Sequence, residues 1–191
     1  MRSLLLAGGR SSRMGLDKAM IEIDGETMFS RVVNSLSKAG LEPIRVAVAR
    51  PEDVDKYGST VGDDLDIEWV LDGRTHAGPI DALEESLLNP SSEGIEKIQL
   101  TPVDYPWITE GLFESLENSL GSEDALIMPH DGERSHPLLA LIRPKMILEK
   151  IQGDRRPLHI QFSEVKHSLL FEDPEILRNV NYKEDLERNR S

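Results

Sequence analysis

Short apolar runs alternate with segments of helical spacing along most of this chain, and that alternation restricts the fold more than any other feature. Residues 4–6 and 67–71 read as short apolar strands, 44–49 as an alternating strand, and 98–101 and 125–128 as further strands. Between them, Met28, Val32, Val33, Leu36 and Ala39 fall on one face of a helix, as do Ile80, Leu83 and Leu87, and later Leu112, Phe113, Leu116 and Leu120. Gly40 closes the first of these helices, and Pro51 can open a short one at its first position. Residues 20–27 alternate and turn at Asp24-Gly25. Further along, residues 138–142 read as a strand, 146–151 and 156–165 as helices, 169–171 as a last short strand, and 182–190 as a charged helix. Strand and helix in regular alternation, joined by short connections, predict a three-layer α/β/α fold with a mainly parallel sheet. The length of 191 residues is that of one domain with a substantial core, so residues 1–191 are expected to form a single unit.

In such sheets ligands sit beyond the carboxyl ends of the strands. The first strand runs directly into Leu-Ala-Gly-Gly-Arg-Ser-Ser-Arg-Met-Gly-Leu-Asp-Lys, residues 6–18. Gly8 and Gly9 permit torsions that a side chain forbids and leave room for a ligand against the backbone. Arg10, Arg13 and Lys18 add positive charge, and bare N–H groups with cations beside them suit a chain of phosphates. The loop lacks the Gly-Lys-Ser/Thr of a Walker loop, and its glycines at 8, 9 and 15 do not have dinucleotide-fingerprint spacing. Asp72 follows the third apolar strand and Asp104 the fourth, so both belong to the same end of the sheet. Asp104 lies between Pro102 and Pro106, where the backbone is stiff. A polyphosphate site calls for Mg²⁺, which takes one or two carboxylates plus substrate oxygens and water, and Asp104 is the candidate ligand. The structural alternative is a turn aspartate bonding its own backbone.

The net charge of −13, from 35 acidic and 22 basic residues, opposes non-specific nucleic-acid binding. The cationic first loop stands against that background. The chain has no cysteine, which excludes disulfides, thiolate metal sites and a cysteine nucleophile, and fits a cytoplasmic protein. No apolar run approaches the roughly 18 residues of a membrane span. The apolar stretch 4–7 is too short for the core of a secretion signal, so neither a leader nor a membrane is expected.

The combination Leu-Ala-Gly-Gly-x-Ser-x-Arg-Met-Gly-x-Asp-Lys with a later Pro-x-Asp-x-Pro resembles the nucleotide-diphospho-sugar transferase-like enzymes of GT-A type fold. Within them, the chain is most similar to the MobA-like molybdenum cofactor guanylyltransferase family. Gly78-Pro79 opening a helix, Asp-Gly-Glu-Arg-Ser-His-Pro at 131–137, Gly-Asp-Arg-Arg at 153–156 and Asn-Val-Asn at 179–181 carry the narrower resemblance, in order and over nearly the whole chain. The resemblance implies a Mg²⁺-dependent transfer of GMP from GTP to the phosphate of molybdopterin or molybdenum cofactor, with a molybdoenzyme as a further partner. It implies that Leu6, Ala7, Gly8 and Gly9 cradle the nucleotide, that Arg13 and Lys18 neutralise phosphate, that Asp72 touches the nucleotide, and that Asp104 holds the metal. It places Asp131, Arg134, His136, Arg155, Arg156, Asn179 and Asn181 on the acceptor side.

One position departs from the family. Ala49 precedes Arg50 where the family often carries an asparagine that touches the nucleotide, and a methyl cannot replace an amide hydrogen bond. Another nucleotide (CTP) or another acceptor, such as a cobinamide phosphate or a sugar phosphate, therefore stays open, as does a non-catalytic adaptor that presents the pterin. Asn181 can also be read as a helix cap with Glu184 as its capping-box partner. His130, Asp131 and His136 raise a transition-metal site, which no third nearby histidine supports.

Overall fold

The computed structural model describes residues 2–7, 17–71, 79–92, 94–182 and 184–186. Gly8, Gly9, Arg10, Arg13, Asp72 and Gly78 lie outside these residues, as do Lys183 and residues 187–190 of the expected C-terminal helix.

The elements follow the alternation of the sequence: β1 (Ser3–Leu6), a 3-10 turn (Lys18–Met20), β2 (Glu22–Ile23), β3 (Glu26–Thr27), α1 (Met28–Lys38), β4 (Ile44–Val48), α2 (Glu52–Gly58) and β5 (Ile67–Leu71). They continue with α3 (Pro79–Ser92), β6 (Ile98–Pro102), α4 (Glu110–Ser119), β7 (Leu126–His130), a second 3-10 turn (Pro137–Leu139), β8 (Leu141–Ile142), α5 (Pro144–Ile151), α6 (Leu158–Ser163) and β9 (His167–Phe171). Strands β2 and β3 form a small hairpin whose turn residues Asp24 and Gly25 both have positive φ (53° and 85°). That is the geometry for which Asp-Gly is favoured. Helix α1 starts at Thr27, whose side chain accepts from the Ser30 N–H, and Gly40 follows it at φ 67°.

The main sheet has the order β5-β4-β1-β6-β8-β7-β9. All neighbours are parallel except β8, which runs antiparallel to both β6 and β7. Side chains of β1 alternate between two cores. Leu5 joins Phe29, Val33, Val46 and Leu116 under α1, α2 and α4, whereas Leu4 and Leu6 join Leu83, Leu100, Ile147 and Phe162 under α3, α5 and α6. Both faces of the sheet are therefore covered, which makes the three-layer α/β/α arrangement.

Two expectations are corrected. Residues 138–142 do not form one strand, because Pro137-Leu138-Leu139 coils into a 3-10 turn before the two-residue β8. The helix expected at 156–165 is confined to 158–163, following Pro157. In addition, β9 begins two residues earlier than the apolar run and pairs with β7 at the sheet edge.

The topology determines where a ligand goes. From β1 the chain moves outward to β4 and β5, then returns through α3 to lay β6 on the opposite side of β1. The switch point lies between β1 and β6, whose last residues, Leu6 and Pro102, are in register. The glycine loop leaves the first of these strands and Asp104 follows the second.

Candidate active site

At the end of β1, the Ala7 N–H donates to the Ala47 carbonyl over 3.1 Å, and the Leu6 carbonyl accepts from the Val103 N–H over 3.2 Å. Leu6 and Ala7 are thus a rigid stem from which the glycine loop departs, with these backbone groups engaged in the sheet. At the other end of the loop, Asp17 caps the 3-10 turn, accepting from the Ala19 N–H at 3.1 Å. The same carboxylate accepts from Lys56 Nζ at 2.6 Å and from the Tyr57 hydroxyl at 3.0 and 3.1 Å. Tyr57 is buried and its ring stacks on Phe29, centroids 5.1 Å apart. Helix α2 therefore fixes the residue next to Lys18.

Lys18 Nζ donates to Asn181 Oδ1 over 3.0 Å. The Val180 N–H donates to the Asp104 carbonyl over 2.8 Å, and Val180 is fully buried. The Asn-Val-Asn segment, 179–181, therefore runs beside Asp104 and brings Asn181 to Lys18. Burial pushes the Asp104 carboxyl above its usual pKa, against the Lys18 ammonium and then a hydrogen bond with Asp104's own backbone. Lys18 and Asp104 thus sense each other electrostatically, and the carboxylate also makes the local bond that the turn-aspartate reading expects. Upstream of this segment, the Arg178 guanidinium lies 3.9 Å over the Trp107 ring and 3.3 Å from Glu175. This cation–π contact secures the C-terminal strap to the residues that follow Asp104.

The helix-cap reading of Asn181 with Glu184 is corrected. Asp185, not Glu184, accepts the N–H groups of Asn181 and Tyr182, both at 2.8 Å, and the Asn181 side chain turns to Lys18.

Next to Asp104, the Tyr105 hydroxyl is 3.0 Å from His136 Nδ1, and His136 Nε2 is 2.9 Å from Asp131 Oδ2. Asp131 Oδ1 accepts the N–H groups of Glu133 and Arg134 at 2.9 and 2.8 Å. Burial would raise the Asp131 carboxyl, but these two N–H groups and His136 outweigh it and hold it well below the usual carboxylate range. Burial lowers His136, against the opposing pull of Asp131. Burial and then Asp104 push the Tyr105 phenol up. His136 is 3% exposed, whereas the Arg134 side chain is 64% exposed and is tethered through Nε to Asp131 at 3.4 Å. His130 Nδ1 accepts the Gly132 N–H at 2.9 Å, so both histidines of this loop serve internal hydrogen bonds.

The structure thus brings Lys18, Asp104 and Asn181 together, and joins Asp131, Arg134 and His136 to them through Tyr105. Asn179 follows Arg178 in the same strap. Arg155 and Arg156 occupy a different set of contacts. Arg155 pairs with Asp81 at 3.1 Å and Glu84 at 2.9 Å on α3, and Arg156 with Asp154 at 2.7 Å and Glu164 at 2.6 Å. These carboxylates hold both guanidinium groups above their ordinary pKa. Ala49 lies exposed just past β4, and the neighbouring Arg50 is committed to Asp53 at 2.8 Å and Glu52 at 3.6 Å. Sequence reasoning missed Asp17, Lys56, Tyr57, Tyr105 and Trp107. Asp17 carried a signal as the aspartate of the Met-Gly-x-Asp-Lys loop motif, and Tyr105 by its place inside Pro-x-Asp-x-Pro; Lys56, Tyr57 and Trp107 carried none.

An α/β sheet with a glycine loop and a carboxylate following the two strands of its switch point offers a ligand site there, and the family match over most of the chain makes it that of a nucleotidyltransferase. Residues 3–164 match the MobA-like NTP transferase domain, and the chain belongs to that family. A molybdenum cofactor guanylyltransferase of Photobacterium profundum is 27% identical over 97% of this chain and 93% of its own length. Among solved structures, molybdopterin-guanine dinucleotide biosynthesis protein A of Archaeoglobus fulgidus superposes with a TM-score of 0.71 at 17% identity, covering 98% of this chain and 96% of that one. A 4-diphosphocytidyl-2C-methyl-D-erythritol synthase of Anaerococcus prevotii does so with a TM-score of 0.75 at 12% identity, covering 97% and 92%. The fold is thus common to enzymes named for different bases and does not itself select the nucleotide. Among the described residues no helix is long and apolar enough to cross a membrane.

Proposed function

We propose that residues 1–191 form one nucleotidyltransferase domain that transfers GMP from GTP to the terminal phosphate of molybdopterin, with or without molybdenum bound, releasing pyrophosphate. The observation that carries this reading is the placement of Lys18 beside Asp104 at the β1/β6 switch point, where a triphosphate would lie. The choice of guanine and of the molybdenum cofactor as acceptor is supported by the names of relatives that the chain matches over nearly their whole length. The reading places the reaction in the cytoplasm, where nucleoside triphosphates are available, and makes a molybdoenzyme the recipient of the product.

The reaction is a phosphoryl-type displacement. The attacking oxygen of the acceptor phosphate is ionised at neutral pH, so no side chain has to remove a proton. Catalysis rests on positioning and on neutralising charge. Lys18 Nζ is held by Asn181, and Asp17 caps the turn in which Lys18 sits by accepting from the Ala19 N–H, so the ammonium is oriented before the nucleotide arrives. Arg13 supplies a second cation from the glycine loop. Asp104 is the residue that would hold Mg²⁺. Its carboxyl is desolvated and only partly offset by Lys18, so it gains from a further cation. Among the described residues no cluster of three metal-ligating side chains exists, which fits an ion completed by substrate oxygens and water. When bound, Mg²⁺ would neutralise charge as the pyrophosphate leaves.

Ala49 supports a second reading, in which the base is not guanine. The experiment is incubation with molybdopterin, Mg²⁺ and each of GTP, CTP, ATP and UTP, with pyrophosphate release and the dinucleotide product followed by liquid chromatography. GTP-selective product formation is expected. Selectivity for CTP would establish the second reading, and nucleotide binding without pyrophosphate would make the chain an adaptor.

A further inference from the structure

The segment 131–137 contains two kinds of residue that the sequence treats alike. His136 is 3% exposed, with one ring nitrogen on Tyr105 and the other on Asp131. Asp131 is engaged at both oxygens: Oδ1 by two backbone N–H groups, Oδ2 by His136 and the Arg134 guanidinium. An ionised carboxylate only accepts, so His136 Nε2 carries the proton, and a neutral imidazole then presents a bare Nδ1. The chain of donors has one direction: Tyr105 O–H to His136 Nδ1, then His136 Nε2–H to Asp131.

That direction matters because Tyr105 is adjacent to Asp104. With its proton committed to His136, the Tyr105 hydroxyl is not a donor competing for the Asp104 carboxylate. Pro106 restricts Tyr105 to extended torsions, so fixing the phenol also fixes the peptide that follows Asp104. The Tyr105 and His136 rings meet edge to face, with centroids 5.6 Å apart. The Val180 N–H holds the Asp104 carbonyl. The peptide between Asp104 and Tyr105 is thereby held both at its carbonyl and through the Tyr105 side chain, and this fixes the backbone from which the Asp104 carboxylate projects.

We propose that Tyr105, His136 and Asp131 are positioning residues that aim the Asp104 carboxylate at its cation, and that within this segment Arg134 alone meets the acceptor. This rests on the guanylyltransferase reading above and divides its acceptor side: Asp131 and His136 act through Tyr105, and the exposed Arg134 fork, steadied by Asp131, suits the acceptor's anionic phosphate.

The test compares wild type with Tyr105→Phe, His136→Gln and Arg134→Gln. It measures Mn²⁺ binding in the presence of GTP by electron paramagnetic resonance, and separate KM values for Mg²⁺, GTP and molybdopterin. Thermal melts establish that each variant folds, and Tyr105→Phe, which removes one hydroxyl, guards against loss of fold in His136→Gln. Partners that orient a metal ligand commonly contribute about 10–100-fold in metal affinity. Tyr105→Phe is expected to weaken Mn²⁺ about tenfold and raise the KM for Mg²⁺, with the molybdopterin KM unchanged. Arg134→Gln is expected to do the reverse. Unaltered Mn²⁺ affinity in folded Tyr105→Phe overturns the proposal, as does a molybdopterin KM that rises in Tyr105→Phe as much as in Arg134→Gln. If wild type binds no Mn²⁺ with GTP, the functional reading fails first and takes this inference with it.

Discussion

Lys18 and Asn181 are 163 residues apart in the chain, yet the lysine ammonium donates to the asparagine amide oxygen over 3.0 Å. The contact joins the end of the glycine loop to the C-terminal strap that also holds the Asp104 carbonyl. An ammonium on a flexible four-carbon stem loses orientational freedom when it binds phosphate, and a pre-formed partner reduces that loss. Lys18→Ala is therefore expected to weaken GTP by tenfold or more, and Asn181→Ala by a few-fold, with both proteins folded. Calorimetry with GTP and far-UV circular dichroism check this. A collapse of the circular dichroism in Lys18→Ala would show a structural lysine instead.

The second prediction concerns Tyr57. Its hydroxyl and Lys56 hold Asp17 from 40 and 39 residues away, and the Phe29 ring lies under the phenol. Tyr57→Phe keeps the stacking and removes one hydrogen bond to a carboxylate. Hydrogen bonds to charged groups contribute about 1.5–3 kcal/mol. Lys56 and the Ala19 N–H remain on Asp17, so a loss of stability at the lower end, about 1–2 kcal/mol, is expected. The GTP KM should rise a few-fold, because Lys18 is next in the chain. Urea unfolding and steady-state kinetics measure the two effects. A stability loss with an unchanged KM would mean that α2 does not hold the phosphate-binding residues in place.

The strands and the turn at Asp24-Gly25 were legible in the sequence because each depends on neighbours within a few residues, whereas the β1/β6 switch point depends on a strand order set by long-range pairing. Apolar runs mark buried strands, and the glycine loop and Asp104 follow two of them in the chain. Residues 138–142 misled because an apolar run buried at every position but Leu138 has no alternation to mark its direction, and Pro137 favours a tight turn. Asp17 with Tyr57, and Arg178 with Trp107, are pairings made by tertiary packing across 40 and 71 residues. No local pattern announces them. The same holds for Arg155, whose acidic partners on α3 could not be named from Gly-Asp-Arg-Arg alone. For either arginine to meet the acceptor, it would exchange a carboxylate partner for a phosphate.

The third prediction concerns acid. His136 is faced by Asp131, Tyr105, Arg134 and His130, and burial lowers its pKa. A base with a lowered folded pKa binds fewer protons folded than unfolded. Stability is then lost as pH falls through the ordinary histidine value, about 6.5. Asp131 has a lowered folded pKa as well, so its contribution is present above about 3.9 and is lost as pH falls below that value. Urea unfolding from pH 8 to pH 3 should show two successive losses, the first absent in His136→Gln. Identical pH profiles between pH 7 and 5 for wild type and His136→Gln would refute the assignment.

The last prediction bears on the chemistry itself. Asp104 is desolvated, and burial raises its pKa against the pull of Lys18. A folded carboxyl with a raised pKa is less stable ionised than it would be in the unfolded chain, so without a metal it does not contribute stability at neutral pH. Asp104→Asn keeps the shape and removes the charge. The protein should melt at the same temperature or slightly higher. Turnover should fall by about 10²–10³, the usual consequence of losing one well-placed electrostatic element. The measurement is turnover against Mg²⁺ concentration for both proteins, with melts alongside. If the rate survives at equal Mg²⁺, then Asp104 serves only as a turn residue between Pro102 and Pro106, and the metal belongs elsewhere.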